Sequence, residues 1–199
     1  ARAARVARRA EEAKAPQGNF TGLKPDTSLG KLAVWIGARI KDNDGNGEDV
    51  HLQTPSDGLY RALKSVVLVA RNMEDKGTLL AVSKWRQLES FKFVDMTFRL
   101  MPTTFAWDAE ALTMKVGKSC VVGKLAAAIA GQLRSKGQVI VAGMGGKPIG
   151  SALEAVILSQ KYLDDPTAIV GCSPVFEEMP VNETAAKQVV VLNLRIVKL

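Results

Sequence analysis

Beyond its first 20 residues the chain carries one pattern twice, and a pattern that recurs in the same order restricts the fold more than any single segment does. Gly30-Lys31-Leu32-Ala33 matches Gly123-Lys124-Leu125-Ala126, and Ile36 falls opposite Ile129 at the same spacing. A second block sets Ala62, Leu63, Val66 and Leu68 against Ala152, Leu153, Val156 and Leu158, with Val67 opposite Ile157 and Met73 opposite Leu163. A third sets Phe98-Arg99-Leu100 against Leu194-Arg195-Ile196. Three blocks in one order point to a duplicated unit, and 199 residues leave room for two domains of about 90 each. With 47% hydrophobic and 24% charged residues both can bury a core, which excludes disordered and collagen-like classes.

Each copy reads as strand, helix, strand, helix, strand, strand. In the second copy residues 112–116 form a short strand candidate. Val122, Leu125, Ile129 and Leu133 then mark a helical stripe that Lys136-Gly137 ends. Residues 139–142 are a strand of buried type, residues 143–146 turn, and Pro148 suits a first helical turn. Ile149, Leu153, Val156, Ile157 and Leu163 make the next apolar face, ended by Asp164-Asp165-Pro166. Residues 168–172 and 188–197 are β-prone, separated by an acidic, turn-rich segment around Pro174, Glu177, Glu178 and Pro180. The first copy follows the same plan, with Leu32, Ile36 and Ile40 on its first helix and residues 42–47 as an enlarged polar turn. The expected division is a basic tail at 1–20, a first unit at 21–107 and a second at 108–199.

The chemical motifs are near misses. Asp42, Asp44 and Asn46 match the first ligand positions of a calcium loop, but Gln53 stands where the bidentate Glu belongs and a strand follows. Gly117-Lys118-Ser119 ends like a triphosphate-binding loop whose leading glycine would fall at Leu112. The third glycine of a dinucleotide fingerprint begun at Gly143 would fall at Pro148. What survives is two loops with backbone amides near a helix start and an adjacent lysine, an arrangement suited to single phosphates of a polymer. His51 is the only histidine and Cys120 and Cys172 the only cysteines, which assembles no zinc site, disulfide framework or histidine triad. The carboxylates lie in turns and linkers, so no enzyme, no cofactor and no metal is expected. Lys124, Arg134 and Lys147 interrupt the most apolar stretch, and no run approaches the ~18 residues of a membrane span.

The second copy resembles the stage V sporulation protein S family, which belongs with the Alba-like nucleic-acid-binding folds. The resemblance runs over roughly residues 113–197 and rests on the stretch Ala126-Ala127-Ala128-Ile129-Ala130-Gly131-Gln132-Leu133-Arg134-Ser135-Lys136-Gly137. A glycine loop and Ala-rich helix over 142–163 add to it. It implies an α/β (α+β) fold of two tandem Alba-like βαβαββ units forming an intramolecular pseudo-dimer, with RNA or DNA as partner. It further implies that Lys118 and Lys147 face phosphates, with Ser119, Lys115 and Lys124 beside them. The first copy departs from this pattern. Its second loop, Thr54-Pro55-Ser56-Asp57-Gly58, has an acid and no lysine, and Asp26 accompanies Lys24 in its first, which leaves Lys31, Arg61 and Lys64 as its candidate contacts. Tyr60, Trp35 and Trp85 could stack on bases or serve packing alone.

The formal charge of +7 has a location. Residues 1–20 hold five basic and two acidic groups, while residues 108–150 hold six basic against two acidic and residues 151–199 four against six. The excess within the second copy therefore gathers around its two loops. The Arg-bearing, Ala-rich start, which opens on Ala1, reads as the remnant of an organelle-import region, a chloroplast before a mitochondrion, as a nucleic-acid-binding arm, or equally as a solvated tail or short surface helix. A second reading stays open: a structural subunit of a larger organelle assembly or ribonucleoprotein, in which the fold serves packing against other subunits.

Overall fold

The computed structural model describes residues 20–24, 26–43, 46–89, 91–180 and 188–199. The basic tail, apart from Phe20, and the Asp44-Gly45 part of the tested calcium loop lie outside them. The chain divides into two compact units, Ala1–Phe105 and Ala106–Leu199. Among the described residues there are eight strands and four α-helices, four strands and two helices to each unit.

The first unit runs β1 (Phe20–Gly22), α1 (Leu29–Asp42), β2 (Asn46–Thr54), a 3-10 turn (Ser56–Gly58), α2 (Leu59–Arg71), β3 (Thr78–Leu88) and β4 (Phe91–Met101). β1 lies parallel to β2, β2 antiparallel to β4, and β4 antiparallel to β3, giving the order β1-β2-β4-β3. A parallel neighbour requires a crossover, and α1 supplies it. Leu32, Ile36 and Ile40 of α1 recur at helical spacing and are buried, as are Ala62, Leu63, Val66 and Val69 of α2. They close one sheet face, where Val50, Leu52, Val94, Met96 and Phe98 are also buried; His51 and Gln53, one residue out of phase, point to the other face.

The second unit repeats this arrangement: β5 (Thr113–Val116), α3 (Val122–Lys136), β6 (Gln138–Gly143), α4 (Gly146–Ser159), β7 (Val170–Pro180) and β8 (Gln188–Lys198). Its order is β5-β6-β8-β7, with β5 parallel to β6 and the other pairs antiparallel. The sequence blocks fall on matching elements: the first on α1 and α3, the second on α2 and α4, the third on β4 and β8. Met73 and Leu163, set opposite each other in sequence, are both buried just beyond the end of their helix. Gly137 closes α3 in the left-handed conformation at φ 74°, and its N–H donates to the Leu133 carbonyl at 3.1 Å.

Three expectations are corrected. The segment around Pro174, Glu177, Glu178 and Pro180 is strand, not turn. β7 continues to Pro180 in unbroken register with β8, and Glu177 is accommodated by Arg195, whose Nη2 donates to Glu177 Oε1 at 3.0 Å. Asn46 and Gly47 belong to β2 rather than to the polar turn, because they pair with Arg99 and Phe98 across a shift in register between Gly47 and Leu52. The apolar face ending at Leu163 is not one helix: α4 stops at Ser159 and a 3-10 turn over Gln160–Tyr162 delivers Leu163 to the core.

Candidate functional site

The parallel pair β5 and β6 sets the site. Val116 is the register partner of Gly143, so the two strands end side by side and the loops that leave them, residues 117–121 and 144–145, start from one edge. Each loop feeds a helix start, α3 after Val121 and α4 after Gly145, and neither helix has a side-chain cap. The first-turn amides of α3, and those of Gly146 and Lys147 in α4, where Pro148 has none, are therefore available to an anion or to water, with the positive end of the helix dipole behind them. Gly143 packs tightly at this point. A Cβ there would lie 3.0 Å from Ile149 Cδ1 and 3.6 Å from the Val116 carbonyl oxygen. Gly145 adopts φ 82°, and a Cβ on it would meet nothing within 4 Å, so the loop opens outward.

Five of the eight residues singled out from sequence lie in these loops or next to them in the chain. Lys115 is the penultimate residue of β5, Lys118 and Ser119 form the turn that the Cys120 N–H closes onto the Gly117 carbonyl at 3.2 Å, Lys124 is the third residue of α3 and Lys147 the second of α4. All five are exposed, and among the described residues none of the four lysines makes an ion pair. Neither loop contains a carboxylate or an imidazole. The arrangement can hold an anion by charge and amide hydrogen bonds together.

The other three residues lie in the first unit and are placed differently. Lys31 occupies on α1 the place that Lys124 occupies on α3 and is exposed. Arg61 ties down the chain between β1 and α1: its Nη1 donates to the Lys24 carbonyl at 3.1 Å and its Nη2 to the Thr27 carbonyl at 2.8 Å. Lys64 Nζ sits 4.5 Å from the centre of the Tyr60 ring, and Lys92 Nζ 4.1 Å from that of Trp85, so each ring carries a cation. The loop after β2 is also shut where its counterpart is open, since a Cβ on Gly58 would lie 2.3 Å from Oγ1 of the buried Thr54.

One polar cluster escaped the sequence reading. Nδ1 of His51 on β2 faces both carboxylate oxygens of Asp95 on β4, at 2.9 and 3.0 Å, and Nε of Arg86 on β3 approaches Asp95 Oδ2 at 3.5 Å. Asp95 is only 5% exposed, and this pairing is what lets a carboxylate sit in the sheet. The two thiols are free. Burial pushes the Cys172 thiol up to about 12 and also raises that of the half-buried Cys120. A thiol reagent near pH 8 should label Cys120 alone in the folded protein, slowly, with Cys172 reacting only after denaturation. Two thiols reacting at one rate in native buffer would contradict the burial of Cys172.

The second unit is a βαβαββ module whose two helix starts, neither with a side-chain cap, leave one sheet edge beside several lysines. Residues 112–197 match the stage V sporulation protein S family, so this unit carries a domain of that family, whose fold is Alba-like. A search of curated proteins found no match to the chain. The family match covers the second unit and leaves the first outside it.

Proposed function

We propose that the chain is a non-enzymatic nucleic-acid-binding protein, for RNA or DNA, that grips phosphates with Lys115, Lys118, Ser119, Lys124 and Lys147 of its second unit. The observation that carries this is the placement of four exposed lysines, none in an ion pair among the described residues, in or next to the two loops, beside two helix starts without a side-chain cap. Neither loop at that edge carries a carboxylate or an imidazole, and the charge and amides together suit a polyanion. The repeated element order and strand order support reading the two units as an intramolecular pseudo-dimer descended from one module. Its first half has lost the binding loops and retains Lys31 as its exposed cation of the set. The Arg-bearing, Ala-rich residues 1–20 favour an organelle as the place of action.

The test is a salt titration of the intact protein with a labelled duplex and a labelled single strand. If four lysines each neutralise one phosphate of a duplex, log K falls linearly with log salt with a slope of about −3.5. No binding at low salt, with stoichiometric recovery of the chain in a large complex, would replace this reading with that of a structural subunit.

A further inference from the structure

The cationic edge also holds apolar side chains that the core does not use. Met144, at the tip of the loop after β6, is 53% exposed, and Val121, which ends the neighbouring loop, is 59% exposed. Met144 stands between Gly143 and Gly145-Gly146, so nothing bulky shields it along the chain. Gly145, the residue after it, has φ 82° and open space where a Cβ would stand, so that side of the loop is clear. The loop after β2 in the first unit has no counterpart, since Ser56 and Asp57 are the exposed residues there.

A polyanion that meets an apolar tip among lysines takes that contact in one of two ways. Single strands are bound by stacking bases on aromatic rings, and residues 117–121 and 143–147 contain none. Aliphatic and thioether side chains instead enter a duplex as wedges between base pairs, opening a step and bending the helix. We infer that Met144 is a wedge residue for double-stranded DNA: with the lysines on phosphates either side, its side chain enters an opened base step. The inference rests on the nucleic-acid reading above and narrows it to a ligand class and a deformation. Flexible pyrimidine–purine steps, which cost least to open, are the sites it favours.

The full chain is mixed with a short DNA duplex carrying 2-aminopurine at a TA step and a dye pair at its ends. The parent protein should raise the 2-aminopurine emission and shorten the end-to-end distance. Met144→Ala should keep the slope of log K against log salt, weaken binding by about tenfold and lose both signals, while Met144→Leu retains them. Met144 is exposed, so neither variant is expected to unfold. A parent that binds with the expected salt slope but gives no unstacking signal overturns the wedge and leaves the phosphate site standing. A parent that binds no nucleic acid overturns both. Tight binding confined to double-stranded RNA, or Met144-dependent binding to anionic phospholipid vesicles instead of DNA, overturns the DNA assignment.

Discussion

The double variant Lys118→Glu, Lys147→Glu is expected to lose nucleic-acid binding while its stability holds or rises. Each reversal removes one phosphate contact and adds one repulsion. The slope of log K against log salt should therefore flatten by about 2, and affinity near 0.1 M salt should fall by about a hundredfold or more. Stability moves the other way. Among the described residues neither lysine makes an ion pair that the change could break, and both are exposed. Lys147 is the second residue of α4, where a carboxylate is favoured by the helix dipole and the amides of the first turn, a gain of about 0.3–1 kcal/mol. Binding loss from misfolding would lower the denaturation midpoint; binding loss from the site leaves it level or raised. Unchanged affinity and slope in the double variant would remove these loops from the binding surface.

The elements of the second unit were legible because each is marked by a local cause. Ile129 and Leu133 lie on one helical stripe, Gly137 is the residue that a left-handed cap requires, and Pro148 falls in the first turn of α4. The candidate site was legible for the same reason: a loop that follows a strand and precedes a helix presents amides wherever it is found, and the lysines are adjacent in sequence. β7 was not legible. Two prolines and two glutamates argue for a turn on local grounds, and what overrides them is the ladder to β8 and the Arg195 guanidinium that meets Glu177, neither of which is near in sequence. His51 and Asp95 were missed likewise, since they are 44 residues apart and meet only through the register of β2 and β4. Arg61 shows the limit in the other direction. A basic residue in the first turn of α2 reads as a free cation, and only the path of the chain between β1 and α1 reveals that its guanidinium is occupied by two carbonyls.

Gly77→Ala should destabilise the first unit more than any surface change in the binding loops. Gly77 leads from the 3-10 turn Glu74–Lys76 into β3 with φ 141° and ψ −166°, a region that essentially only glycine occupies, at a cost of about 1–3 kcal/mol for other residues. Space compounds the conformational cost. A Cβ at Gly77 would lie 2.0 Å from the carbonyl oxygen of Met101 and 3.1 Å from its carbonyl carbon. Both are backbone at the end of β4, held by the pairing of Thr78 with Met101. The methyl can be accommodated only by moving the strand end, so a loss of about 3 kcal/mol or more in urea denaturation is expected. Trp35 and Trp85, both in this unit, report it by fluorescence. Gly117→Ala is the matching control. A Cβ there meets nothing within 4 Å and its φ is not in the left-handed range, so its midpoint should stay within about 0.5 kcal/mol of the parent. A Gly77→Ala midpoint equal to that of the control would mean that the turn into β3 yields freely. Nucleic-acid affinity of Gly77→Ala, measured below its transition, should equal that of the parent, because Lys115, Lys118, Ser119, Lys124 and Lys147 all belong to the other unit. Lost affinity in a folded Gly77→Ala protein would instead make the first unit a contributor to the binding surface, with Lys31 its first residue to reverse.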